Sequence, residues 1–170
     1  MKTVVTLTMN PALDMSTSVE RVESGHKLRC GPAAFDPGGG GVNVARVIHR
    51  LGGEATALYA CGGPTGHAYR QLLEAEGVDA VAIPIEGATR SNVTVDETST
   101  GEQYRFVVQG PEIGEAEWRH CLDLLAERVQ TDGYVVASGS LPPAVPDDFY
   151  RRVARLAKAR GARCVIDTSG

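Results

Sequence analysis

The chain contains no apolar run of transmembrane length, no block of like charge and no closely spaced pair of cysteines. A spanning helix needs about 20 consecutive apolar residues, so a membrane helix is excluded. The opening Met1-Lys2-Thr3-Val4-Val5-Thr6-Leu7-Thr8-Met9 is broken by threonines and runs straight into Asn10-Pro11, which makes a poor secretion signal. Seventeen basic against 21 acidic residues give a net charge of −4 without a basic cluster. That balance argues against nucleic acid or an anionic membrane and for a small partner. Cys30, Cys61, Cys121 and Cys164 lie too far apart for a zinc site or a disulfide framework, so reduced thiols in the cytoplasm are expected. His26, His49, His67 and His120 share no metal-ligand spacing, and no metal site is assigned. At 170 residues the chain can bury one ordinary core, so one domain with at most a small appendage is expected.

What is present begins with glycine. Pro37 is followed by Gly38, Gly39, Gly40 and Gly41, and these open directly into the apolar helix of Val42-Asn43-Val44-Ala45-Arg46. Such a run costs backbone entropy and is tolerated where backbone approaches a ligand closely or takes positive φ. The N–H groups at the helix start then suit a phosphate or a row of sugar hydroxyls. A tight turn that merely packs the helix on a sheet is the competing reading. Asn43 favours the ligand reading, because a first-turn amide can both donate to and accept from a polyol. Neither the G-x-G-x-x-G of dinucleotide folds nor the G-x-x-x-x-G-K-[ST] of P-loops is present.

Short β-branched runs alternate with helical patterns, the mark of a parallel α/β sheet. Core strands are expected at 3–9, 55–60, 80–84, 133–137 and 163–167. Helices are expected at 43–51, at 65–76 on a Thr65 N-cap, at 115–129 and at 146–160. Two segments interrupt this rhythm: 27–36, and the pair 90–97 and 103–108 joined at Ser99-Thr100-Gly101. Together they predict a small β lid, with strands near 15–36 and 88–109; extra edge strands of the main sheet are the alternative.

Ligands of open α/β sheets bind beyond the carboxyl ends of the strands. Polar residues gather there: Asp14 after the turn at Asn10–Leu13, Ser138-Gly139-Ser140 after the fourth core strand, and Asp167-Thr168-Ser169 after the last. Asp14 can accept hydrogen bonds from sugar hydroxyls or cap the following turn. Ser140 can bind a hydroxyl or phosphate oxygen, or cap Leu141-Pro142-Pro143. Arg90 can pair a phosphate or remain solvated, and Lys27 and Arg29 are open to the same two readings.

Five segments then match one family: Asn10-Pro11-Ala12-Leu13-Asp14, Lys27-Leu28-Arg29, Pro37 to Arg46, Gly101-Glu102-Gln103-Tyr104-Arg105-Phe106 and Ser138 to Pro143. With nearly constant spacing from Val5 to Gly170, they resemble the amino-terminal half of the ribokinase-like (PfkB) carbohydrate kinases. The resemblance implies a three-layer α/β fold with a β lid that serves as a dimerisation sheet. It implies that Asp14 and Asn43 hold sugar hydroxyls, Gly39 and Gly40 give backbone contacts, Arg90 reaches the sugar phosphate and Ser140 completes the pocket. Lys27, Arg29, Gly38, Gly41 and Arg105 lie in the same motifs and are secondary candidates. The activity implied is transfer of the γ-phosphoryl group of Mg-ATP to fructose 6-phosphate. 1-Phosphofructokinases and tagatose-6-phosphate kinases share the skeleton, although the former resemble this chain less because a Lys interrupts their glycine run. The family's catalytic Gly-Ala-Gly-Asp does not occur here. The chain is therefore expected to be an acceptor-sugar half without base, ATP site or Mg2+ site, inactive by itself. A non-catalytic sugar-phosphate-binding or dimerisation fragment is the alternative of another class.

Overall fold

Along the first strand Val5 and Leu7 alternate with Thr6 and Thr8, and all four are buried. A strand buried on both faces must be covered by helices on both sides, and the computed structural model, which describes residues 2–168, has that layering. In chain order the elements are β1 (Val4–Thr8), β2 (Ala12–Val19), β3 (Ala34–Gly38), α1 (Gly40–Arg50), β4 (Ala55–Cys61), α2 (Gly63–Ala75), β5 (Ala80–Pro84), β6 (Arg90–Glu97), β7 (Gln103–Phe106), α3 (Glu115–Arg128), β8 (Tyr134–Ser138), α4 (Phe149–Ala159) and β9 (Arg163–Asp167).

The main sheet is parallel in the order β5-β4-β1-β8-β9. On one face α1 and α2 bury Val42, Ala45, Tyr69 and Leu73 against Ala57 and Tyr59. On the other, α3 and α4 bury Trp118, Leu125, Phe149 and Val153 against Val5, Leu7, Leu58 and Val135. The Trp118 and Phe149 rings meet edge-on at 6.3 Å, the geometry their quadrupoles favour. Strand order reverses at β1, whose neighbours β4 and β8 are reached in opposite directions. That switch point opens a crevice at the carboxyl end of the sheet.

A second sheet, β3-β2-β6-β7, stands apart from the first. Here the expectations need correction. Residues 12–14 are not a turn: β2 runs from Ala12 to Val19 and pairs in parallel with β6, so Asp14 is a strand residue. Ala-Leu-Asp-Met-Ser-Thr-Ser-Val hides its alternation because small hydroxylated residues fill one face. The strand expected over 27–36 is displaced to Ala34–Gly38 and takes in Pro37. Proline lacks the ladder donor, and an edge strand such as β3 is where a sheet tolerates it.

Helix starts shift for similar reasons. Gly40 and Gly41 already belong to α1, so it begins three residues before Asn43. Gly62, not Thr65, caps α2, with Pro64 in the first turn, where its missing N–H costs nothing. The cap is held from outside, for Thr89 Oγ1 accepts from the Gly62 N–H at 3.1 Å. α4 starts at Phe149 rather than Pro146. Of the predicted Asp167-Thr168-Ser169 cluster, Ser169 lies outside the described residues.

Candidate functional site

Four pieces of chain meet at the crevice: the end of β1, the glycine run, the end of β8 and the first rows of the second sheet. Gly39 has φ 138°, a backbone conformation that side-chain-bearing residues rarely adopt. Having no side chain, it cannot cap α1, and β1 supplies the substitute: Thr8 Oγ1 accepts from the buried Val42 N–H at 2.9 Å. The Gly40 and Gly41 N–H groups, two residues and one residue earlier in the same turn, have no intrahelical acceptor. A side chain at Gly40 would strike Ser138, so the run and the end of β8 touch only because that position is bare.

Asp14 reaches this run from β2. Its Oδ1 accepts from Asn92 Nδ2 at 2.9 Å, across the parallel β2/β6 register, while Oδ2 lies where a Gly38 side chain would stand. Asn92 is a site residue that the sequence reading missed; its own Oδ1 accepts from the Val108 N–H at 3.1 Å. Only the pairing of two strands 78 residues apart reveals it.

Arg90, the first residue of β6, is less free than a phosphate-seeking surface arginine. Nη1 donates to the Val108 carbonyl and Nη2 to the Asn10 carbonyl, both at 3.0 Å, and Nε is buried without a partner. Burial lowers its pKa and the Asp14 charge opposes that drift. Held this way, the guanidinium plane is fixed and each terminal nitrogen retains a second N–H. Asn10, also missed, ties the pieces together. Its carbonyl accepts from Arg90 and its Nδ2 donates to Ser140 Oγ at 3.1 Å. Asn10, Arg90, Gly110, Ser140 and Pro142 line a cavity of 610 Å³. A larger cavity of 720 Å³, lined by His49, Glu54, Asp79 and Glu127, sits at the opposite, amino end of the sheet and shares none of these residues.

Asn43 is exposed on the first turn of α1, and its amide is oriented by Arg46, whose Nη1 donates to Oδ1 at 3.2 Å. That leaves the Nδ2 donors for a ligand. Arg46 also donates to the Pro37 carbonyl and, as an ion pair, to Glu76 beyond the end of α2. The bond to Glu76 raises Arg46 against the desolvation of its site, and the same bond holds the Glu76 carboxyl below its ordinary range.

Three secondary candidates are not brought here. Lys27 and Arg29 lie in the exposed stretch after β2 and line a separate cavity with Glu20 and Glu23. β2 carries the chain away for five residues beyond Asp14, roughly 17 Å of extended strand. Arg105 pairs with Thr94, two residues along β6 from Asn92, exposed on the same side of the sheet. Among the described residues no three His, Cys, Asp or Glu side chains converge as a metal site would require.

A family profile described as pfkB family carbohydrate kinase matches residues 4–170. The ATP-dependent 6-phosphofructokinase isozyme 2 of Mycobacterium tuberculosis (strain ATCC 25618 / H37Rv) is 50% identical over 167 residues, which cover 98% of this chain and 49% of that protein. The solved structure of phosphofructokinase-2 from Escherichia coli in complex with fructose-6-phosphate superposes with a TM-score of 0.94 at 39% identity, over 100% of this chain and 56% of that one. The same protein is known in a form described as tetrameric and inhibited. A 1-phosphofructokinase of Bacillus subtilis is more distant, 32% identical over 98% of this chain and 54% of that protein. The chain thus spans about half the length of the relatives it matches.

Proposed function

Since the chain belongs to the pfkB family of carbohydrate kinases, we propose that it carries the acceptor-sugar side of an ATP-dependent 6-phosphofructokinase. Fructose 6-phosphate binds between the glycine run, the second sheet and the end of β8. The observation that carries this reading is Asp14: a half-buried carboxylate whose Oδ1 is held by Asn92 while Oδ2 faces the first glycines. A carboxylate fixed through one oxygen offers the other to sugar hydroxyls. Asn43 adds donors from α1, the Gly39 and Gly40 amides add backbone contacts, Arg90 meets the phosphate with its remaining N–H groups, and Ser140 closes the far side.

In kinases of this kind catalysis is mostly positioning and charge stabilisation. These residues position one reactant. ATP with Mg2+ supplies the phosphoryl group and neutralises its charge, but no residue described here fits that pair, since the Gly-Ala-Gly-Asp base and its anion hole are absent from the sequence. No catalytic base is assigned within residues 1–170, and the lone chain is expected to leave ATP and fructose 6-phosphate untouched.

A homodimer through the second sheet belongs to the same reading. Phe35, Met15, Val93 and Phe106 form one row across all four strands on the side away from Asp14. Its terminal phenylalanines are 50% and 57% exposed, an apolar face suited to a second copy. The cytoplasm fits four free cysteines, and no helix among the described residues is long and apolar enough to cross a membrane. Calorimetric titration with fructose 6-phosphate, and with fructose as control, tests the assignment: phosphate-dependent binding supports it, and absence of binding removes it. An intact mass of the native product near this chain's 18.0 kDa, rather than about twice that, would favour the binding-module alternative.

A further inference from the structure

Tyr69 on α2 and Tyr150 on α4 are buried, and both use their hydroxyls on glycine carbonyls at the lips of the crevice. Tyr69 Oη donates to the Gly38 carbonyl at 3.0 Å, and Tyr150 Oη donates to that of Gly139 at 2.6 Å. The two come from opposite layers, Tyr69 from the side of α1 and Tyr150 from the side of α3. Burial raises both phenols, Tyr150 to about 12 and Tyr69 well above its ordinary value, so each stays a protonated donor at neutral pH.

A trans peptide carries its carbonyl and the following N–H on opposite sides of one plane, and no cis bond is present among the described residues. Holding the Gly38 carbonyl therefore sets the direction of the Gly39 N–H, away from α2. Holding the Gly139 carbonyl likewise sets that of the Ser140 N–H, away from α4. Both planes adjoin a glycine of positive φ, Gly39 at 138° and Gly139 at 115°, where no side chain restricts rotation. Among the described residues neither N–H has a backbone acceptor. Each plane is held through its carbonyl by one tyrosine hydroxyl, Gly38 having in addition its β3 pairing with Ala12.

We propose that Tyr69 and Tyr150 are positioning residues, which aim the Gly39 and Ser140 amides at oxygen acceptors of the sugar phosphate. This rests on reading the crevice as the fructose 6-phosphate site. Neither tyrosine stands out in the sequence, because the hydroxyl's partner lies 31 residues away in one case and 11 in the other.

The test removes each hydroxyl alone, Tyr69→Phe and Tyr150→Phe, in the full-length protein. Tyr59→Phe serves as control, since its ring packs 5.2 Å from that of Tyr69 in the same cluster but holds no glycine carbonyl. Two readouts are taken, the dissociation constant for fructose 6-phosphate and the amide resonances of Gly39 and Ser140 in nitrogen-15 spectra. Each of the two variants should weaken binding roughly fivefold to thirtyfold, the effect of losing one well-placed contact, and raise KM with kcat largely kept. Tyr69→Phe should move the Gly39 resonance and Tyr150→Phe that of Ser140, whereas Tyr59→Phe moves neither. Equal losses in all three variants, or unmoved amides in the first two, would overturn the proposal. If the unmodified protein fails to bind fructose 6-phosphate, the functional reading falls instead, and the resonances still decide whether the tyrosines set the two peptide planes.

Discussion

The two sheets are built from similar lengths of strand but solve different problems. The main sheet hides both faces at its centre, where Val5 and Leu7 on one side and Thr6 and Thr8 on the other are all buried, and its edge strand β9 leaves Val165 and Ile166 exposed. The second sheet hides neither face fully. One presents Asp14, Asn92 and Arg90 toward the glycine run, and the other leaves Phe35 and Phe106 half exposed. Burial is thus concentrated in the centre of the first sheet and the polar groups of the crevice in the second, and the crevice lies where they meet.

The sharpest way to break that division is at its buried pole. Leu7→Ala, at a fully buried site in β1, should cost about 2–5 kcal/mol in urea denaturation. Phe106→Ala should change monomer stability by no more than about 0.5 kcal/mol, while sedimentation shows weakened self-association. A large stability loss at Phe106 would mean that the second sheet carries part of the core.

Within the second sheet the expected effects are smaller and more specific. Arg90→Ala should weaken fructose 6-phosphate binding by about 10- to 150-fold, the range of about 1.5–3 kcal/mol for a charge-assisted contact, and leave fructose nearly untouched. Asp14→Asn should weaken both ligands alike. Equal losses for Arg90→Ala on the two sugars would take it off the phosphate.

The Arg46–Glu76 pair joins the helix that follows the glycine run to the end of α2 in the same layer, and its contribution depends on pH. Glu76 is held below its ordinary value of 4.5, so the pair stabilises the fold above that pH and loses its effect as pH falls through the lower folded-state value. Arg46→Met should cost roughly 1 kcal/mol at pH 7, and the deficit should shrink in thermal melts taken progressively below pH 4.5. A deficit independent of pH would assign Arg46 to packing alone. The smallest effect is expected at Arg105. It is exposed in β7 and shares its side of the sheet with Asn92, and Arg105→Ala should shift sugar-phosphate affinity less than about threefold.

The main sheet was legible because its strands are short, largely apolar runs such as Ala55–Cys61 and Ala80–Pro84. That the glycine run opens into a helix was legible because an apolar helical pattern follows it directly. β2 was not, since its half-buried stretch Ser16-Thr17-Ser18 reads equally as loop. Nor were Asn10 and Asn92, whose significance lies in partners 130 and 78 residues away. Lys27 and Arg29 are candidates from the family resemblance, and within this chain they lie past the end of β2, away from Asp14.

The parallel pairing of β2 with β6 also sets when the crevice can exist. Two parallel neighbours cannot be joined by a tight turn, and here the connection contains β3, α1, β4, α2 and β5. Asp14 can meet Asn92 only after that whole intervening stretch has collapsed, and loop closure over such a separation is slow compared with helix formation. In a refolding time course helical signal should therefore precede ligand competence. A chain emerging from the ribosome holds the Asp14 carboxylate long before the strand whose Asn92 orients it has been synthesised.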